Sequence, residues 1–273
     1  YEFYIEAVSL NGKNAIVNYT SFYFYTFPQI NNYGYNNKNY SLSYSQSCNT
    51  ITDINNNGLN DILLNDIKNN LRMNIYEFSG GGFNKISNDN WGDFRIARDI
   101  SDIDGDGKNE ILFSKERNGY VYEAPQTGQL PTDLIWNDTE NGNFWSARIA
   151  DTDNDGKKEI LGFGKSGLRI LETDNNNNFT QIANLNYFGN DSVANSQNVL
   201  VEDFDNDGKK DIIFINLYYE TRGSALPKIG LSVYENTSDN SYSRVFKDSI
   251  ARFIRSDNIV TGDFIGDGGT DFG

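Results

Sequence analysis

The chain contains no histidine among its 273 residues, and only one cysteine, one methionine and four prolines. The missing imidazole removes Ser-His-Asp triads, Cys-His dyads and every histidine-ligated zinc or iron centre. A single thiol, Cys48, excludes an internal disulfide and leaves the redox compartment unread; its type favours the role of a small buried hydrophobe. No stretch repeats its apolar residues at the helical period of 3.6, and no apolar run approaches the roughly eighteen residues that cross a bilayer. The net charge of −15, with no basic stripe, opposes binding to nucleic acid. The sequence opens at Tyr1 inside an alternating stretch and shows no secretory leader, so further protein is expected upstream.

What is abundant points one way. Glycine (25), tyrosine (17) and phenylalanine (18) are plentiful, asparagine is frequent, and 37% of the residues are hydrophobic. That composition suits strands joined by tight turns around a real core, an all-β chain. One segment recurs five times: DINNNGLNDILL from Asp53, DIDGDGKNEILF from Asp102, DTDNDGKKEILG from Asp151, DFDNDGKKDIIF from Asp203 and DFIGDGGTDFG from Asp263. The intervals of 49, 49, 52 and 60 residues match one four-stranded blade of a β-propeller.

The negative charge is concentrated in these segments. Their nine-residue loops hold 17 of the 38 acidic residues, while the other 21 are offset by the 23 Lys and Arg. Three or four carboxylates in one turn repel each other unless a cation sits among them. Each loop reads D-x-[DN]-x-[DN]-G-x-x-[DE], with side-chain oxygens at positions 1, 3, 5 and 9 and a backbone carbonyl expected at position 7. The candidate ligands are Asp53, Asn55, Asn57, Leu59 and Asp61; Asp102, Asp104, Asp106, Lys108 and Glu110; Asp151, Asp153, Asp155, Lys157 and Glu159; Asp203, Asp205, Asp207, Lys209 and Asp211; and Asp263, Asp267, Gly269 and Asp271. Hard oxygen donors on an irregular turn suit Ca²⁺ better than Mg²⁺ or zinc. The first loop has two charged ligands and is the weaker for it, and the fifth has Ile265 at position 3. An EF-hand would need a Glu at position 12 between helices, but Leu64, Phe113, Gly162 and Phe214 stand there. The apolar run after position 9 reads as a strand buried on both faces, so these are strand-loop-strand sites.

Other features repeat with the loops. Two residues before them stand Ile51, Ile100, Ile149, Val201 and Thr261, β-branched as in an inner strand. About twenty residues after each loop start, Ile75-Tyr76-Glu77, Val121-Tyr122-Glu123, Ile170-Leu171-Glu172 and Val233-Tyr234-Glu235 mark a third strand, its Glu expected to be a solvated neighbour. Trp136 and Trp145 are expected to pack between blades, with sugar stacking as the alternative. Tyr218 to Arg222, in the lengthened fourth repeat, is a candidate partner-binding loop. A carboxylate pair outside the loops, for example Asp138 with Glu140, is to be weighed as glycosidase machinery, though nothing in the spacing recommends it. Six N-x-[ST] sequons, at Asn18, Asn39, Asn137, Asn178, Asn190 and Asn236, carry little weight in so Asn-rich a chain.

Over residues 44–273 the loops, their spacing and the following strands resemble the FG-GAP/VCBS repeats found also in integrin α-chain heads. The resemblance implies an incomplete β-propeller, four four-stranded blades and the start of a fifth, with calcium between the first and second strands of a blade. At the other end, Tyr1, Phe3, Ile5 and Ala7 alternate before a turn at Asn11-Gly12. That pattern resembles the closing β-hairpin of a fibronectin type III-like module over residues 1–27, with outer strands of a preceding blade as the alternative and 28–43 as linker. The implied function is an extracellular calcium-binding module, secreted or on the cell surface, for adhesion or recognition of a protein or glycan ligand. On this view the fragment is not an enzyme; the alternative is a non-catalytic accessory propeller of a larger secreted hydrolase or polysaccharide lyase.

Overall fold

Four of the five repeats recur as one backbone pattern in the computed structural model, which describes residues 6–8, 14–16, 45–66, 72–87, 96–138, 142–164, 166–174, 177–187, 191–219, 228–250, 261–262 and 271–272. The chain divides into two units, Tyr1–Ser43 and Tyr44–Gly273. In the first, β1 (Glu6–Val8) pairs antiparallel with β2 (Asn14–Ile16), Ala7 opposite Ala15. The remaining readings on residues 1–43, the Asn11-Gly12 turn and the linker among them, lie outside the described residues.

The second unit holds four antiparallel sheets, each with its four strands in sequence order. The first comprises β3 (Ser45–Thr52), β4 (Asp61–Asp66), β5 (Arg72–Ser79) and β6 (Gly82–Lys85); the second β7 (Ile96–Ser101), β8 (Glu110–Lys115), β9 (Asn118–Glu123) and β10 (Asp133–Asn137). The third comprises β11 (Asn143–Ala150), β12 (Glu159–Phe163), β13 (Gly167–Thr173) and β14 (Phe179–Asn186); the fourth β15 (Asp191–Glu202), β16 (Asp211–Tyr219), β17 (Lys228–Ser238) and β18 (Ser241–Ile250). A fifth pair, β19 (Thr261–Gly262) with β20 (Asp271–Phe272), flanks the fifth loop as the other first and second strands flank theirs. First strands of successive sheets adjoin, β3 to β7, β7 to β11 and β11 to β15. This is an all-β, β-propeller-like arrangement of blades.

The second strand of each blade explains the continuous apolar runs. Ile111 and Phe113 on β8 pack toward the first blade, with Leu63, Ile75 and Ala97, whereas Leu112 packs toward the third, with Phe144, Ile160 and Leu171. In β16, Ile212 and Phe214 face the third blade with Phe163 and Leu168, and Ile213 and Ile215 face the opposite way. Alternate residues thus serve two different cores, so every position must be apolar. Complete burial of these side chains contributes about 1.5–3 kcal/mol each. The core between the second and third blades closes on Phe144, whose ring lies where a Cβ at Gly119 or Gly162 would stand, at 2.6 and 2.5 Å.

The aromatic readings divide. Trp136 packs between blades, its ring 5.8 Å from Phe144 and 5.4 Å from Phe179. Trp145, expected in the same role, is instead 54% exposed. Residues 220–222 of the proposed partner-binding loop lie outside the described residues, as do the side chain of Cys48 and the whole of Glu140.

Candidate metal centre

Each loop joins the first strand of a blade to the second, and four loops are built alike. The position 1 carboxylate takes two backbone N–H groups. In the second loop Asp102 Oδ1 accepts from Gly105 and Oδ2 from Gly107, at 2.8 and 3.0 Å. Asp151 accepts from Asn154 and Gly156, Asp203 from Asp207 and Gly208, and Asp53 from Asn57 and Gly58. Position 3 accepts from position 5, as Asp104 does from Asp106 at 3.1 Å, and position 5 from position 7, as Asp106 does from Lys108 at 2.8 Å. These are Asx turns in series, and they curl the chain until the side-chain oxygens converge. The position 6 glycine is left-handed throughout, with φ between 86° and 91° at Gly58, Gly107, Gly156 and Gly208. Position 4 is left-handed too, occupied by Asn56, Gly105, Asn154 and Asn206. Only Gly, Asn and Asp adopt that region readily, so the Asn/Gly choice at position 4 was a legible signal that the motif as written left as x.

Position 9 is the buried end of the site. Asp61, Glu110 and Glu159 are at most 1% exposed, and Asp211 is 6% exposed. One oxygen of each accepts the position 2 backbone N–H, as Glu110 Oε2 does from Ile103 at 2.6 Å and Glu159 Oε2 from Thr152 at 2.7 Å. The other oxygens, Asp61 Oδ1, Glu110 Oε1 and Glu159 Oε1, are buried with no hydrogen-bond partner. A buried, half-satisfied carboxylate is costly. Burial pushes Glu110 up to about 8, Glu159 to about 7 and Asp61 to about 6, with neighbouring acids adding to the rise; Asp211 is raised for the same reason. Positions 1, 3 and 9 place carboxylate oxygens within 4.8 Å of one another in the sets Asp102, Asp104, Glu110; Asp151, Asp153, Glu159; and Asp203, Asp205, Asp211. An oxygen-only donor set around an orphaned buried carboxylate oxygen fits Ca²⁺.

The sequence profile of the FG-GAP-like repeat family matches residues 102–162 and again 151–214. Residues 102–214 are thus similar to FG-GAP-like repeats. No curated protein matches the chain. The two matched segments each run from the position 1 aspartate of one loop into the second strand of the next blade, so they take in the second, third and fourth loops.

The third-strand glutamates of the second, third and fourth blades differ from expectation. Rather than standing as solvated neighbours, Glu123, Glu172 and Glu235 pair with the position 7 lysines Lys108, Lys157 and Lys209. Their side chains are only 12–21% exposed. Lys108 also reaches Asp106 at 2.6 Å and Lys209 reaches Asp207 at 2.7 Å, so each lysine bridges loop and third strand. In the first loop, where position 7 is Leu59, Asn57 Nδ2 donates to Glu77 instead, at 2.5 Å. Position 2 also escaped the sequence pattern: Ile54 and Ile103 point into the cores between blades and anchor the loops from beneath. Of the fifth loop, Asp271 lies on β20 opposite Gly262, while Asp263, Asp267 and Gly269 fall outside the described residues.

The following blade also contributes to the surroundings of the loops in the first three blades. Gly128, in the turn before β10, donates to the Asn55 carbonyl at 2.7 Å, and Asn109 Nδ2 donates to the Asp53 and Ile54 carbonyls. Asn177 donates to Glu123 at 3.0 Å. Asn240 reaches the third loop, and Tyr242 meets Thr152, which itself donates to Glu159. No local sequence signal marks these partners, because they lie about fifty to ninety residues from the loops they touch.

Asp138 is committed elsewhere. It forms an ion pair with Arg169 of the third blade at 2.9 Å, and its other oxygen accepts the Gly142 N–H at 2.8 Å. A 1% exposed carboxylate tied in this way bridges the second and third blades.

Proposed function

We propose that the FG-GAP-like loops bind Ca²⁺ and that the ions brace the blades of an extracellular module whose surface recognises a protein or glycan ligand. The buried, unpartnered oxygens of Asp61, Glu110 and Glu159 carry this reading, since a divalent cation supplies the one interaction those carboxylates lack. Positions 1, 3 and 5 supply further oxygens at the mouth of each loop, and the Asx turns hold them there. Extracellular modules bind calcium with Kd on the order of 10⁻⁴–10⁻³ M, an affinity useful only where calcium is millimolar, which favours a secreted or cell-surface setting. Among the described residues no helix is long and apolar enough to cross a membrane.

The role assigned to the ion is structural. It joins the end of one strand, the loop and the start of the next, while the hairpins of the neighbouring blade close over the loop. Recognition by adhesion then falls to the blade surfaces, and residues 1–27 serve as the end of an adjoining fibronectin type III-like module. Equilibrium dialysis against calcium tests the reading. At millimolar free calcium the chain is expected to retain at least three ions, and Glu110→Gln, Glu159→Gln and Asp211→Asn each to lower that number by one. Retention of none overturns it.

A further inference from the structure

The first strands carry a cluster of opposite sign to the loops. Arg98 on β7 and Arg148 on β11 belong to adjoining first strands, and Arg148 Nη1 donates to the Arg98 carbonyl at 3.1 Å. Arg98 Nε donates to Ser114 Oγ at 2.7 Å. Lys158 stands nearby, donating to Ser101 Oγ at 2.6 Å. The carboxylate placed among them, Asp99, is already spent on the backbone: Oδ1 accepts the Ile100 N–H at 2.9 Å and Oδ2 the Ile149 N–H at 3.0 Å. Among the described residues no carboxylate lies within ion-pair distance of either guanidinium.

Three cations face one acid here, in a chain whose net charge is −15. Both arginines are half-buried. Neighbouring guanidinium groups that are partly desolvated and share, among the described residues, the field of one carboxylate already bound to backbone N–H groups are an unfavourable arrangement unless a further anion completes it. Burial together with the neighbouring Arg148 charge pushes Arg98 down to about 10, the direction an uncompensated cation takes. The fork of an arginine matches the two oxygens of a carboxylate or sulfate and holds them by charge-assisted hydrogen bonds.

We propose that Arg98 and Arg148 form a receptor for an oxyanion, the carboxylate or sulfate group of an acidic ligand, at the junction of the first strands of the second and third blades. Lys158 adds to the attracting field, and Asp99 fixes the strands by tying β11 to β7. The site goes beyond the calcium reading and does not depend on it. The arginines project from the strands and not from the loops, and their partners are backbone and hydroxyl groups.

The test is a titration of the whole chain with sodium sulfate and, separately, sodium acetate, with chloride holding ionic strength constant, followed by amide chemical shifts. Run at millimolar calcium and again in chelator, it keeps failure of this site apart from failure of the loops. The expected result is saturable shifts centred on residues 97–100 and 147–149. The stronger of the two probes tells whether the group is sulfate or carboxylate. Arg148→Gln is expected to weaken binding about tenfold or more, and Arg148→Lys, which keeps the charge but loses the fork, by a smaller factor. Shifts in the wild-type chain that match those of chloride alone overturn the proposal. So does an Arg148→Gln variant with wild-type melting behaviour and undiminished binding.

Discussion

Asn240 donates its backbone N–H to Asp153 Oδ2 at 2.7 Å, across 87 positions of the chain. Its side-chain amide donates to Glu172 at 3.0 Å. One turn of the fourth blade therefore holds both the third loop and the third-strand glutamate that pairs with Lys157. Through such contacts the metal proposed for one loop would be coupled to the seating of the next blade.

Asn240 adopts φ of 56°, a left-handed conformation that most residues resist. Asn240→Ala is expected to destabilise the chain by about 1–2 kcal/mol, adding strain to the lost hydrogen bond. Asn240→Gly, which removes only the side-chain bond, is expected to cost less. Urea unfolding at fixed calcium gives both values, and equal costs for the two variants would argue against the strained latch.

The loops and strands were legible because their causes are local. Ligand oxygens at fixed offsets, Gly156 where φ is positive and Ile160-Leu161 entering two cores all leave a trace within a dozen residues. The latches were not, since Asn177 and Asn240 read locally as ordinary turn asparagines. The third-strand Glu was seen but misassigned: its partner is the position 7 lysine fifteen residues earlier in the second and third blades and twenty-six earlier in the fourth, on the far side of a strand. Trp145 and Trp136 look equivalent in sequence, and the packing of β11 against its neighbours separates them. Asp138 showed only as an acid near Glu140, because its partner Arg169 comes from the next blade.

Glu110 separates the two roles of its carboxylate. Glu110→Gln is expected to abolish calcium retention at the second loop and lower stability in calcium. In chelator the same change is expected to leave stability equal or higher, because the amide replaces a buried carboxyl that must take up a proton to stay neutral and has an unpartnered oxygen. Thermal unfolding under both conditions reads the sign, and a loss of equal size in each would mean that the residue serves packing alone.

The raised carboxyls fix a pH dependence. In the metal-free fold Glu110 keeps its proton to about 8 and Glu159 to about 7, against an ordinary value of 4.5, and Asp61 to about 6 against 3.8. The folded state then binds protons that the unfolded chain has lost, so the contribution of these groups falls as pH rises from about 4 to about 8. Calcium reverses the effect, and its binding at pH 7 is expected to expel protons. Calorimetric titration in buffers of different ionisation enthalpy measures the release; a heat independent of buffer would contradict the assignment.

The Asp138 to Arg169 bridge is buried on both sides, its side chains 1% and 8% exposed. Asp138→Ala leaves a buried guanidinium without its carboxylate and is expected to cost about 3–5 kcal/mol. Denaturant unfolding at saturating calcium checks it, since the loss should not be recovered by added metal.

The most direct measurement compares thermal unfolding in millimolar calcium with unfolding in chelator. With Kd of about 10⁻⁴–10⁻³ M, millimolar calcium stabilises by about 0.4–1.4 kcal/mol at each loop, so several loops together are expected to raise Tm by several degrees, with magnesium doing much less. Superimposable unfolding curves in calcium and in chelator would contradict the central claim that the buried carboxylates of these loops are completed by a divalent cation.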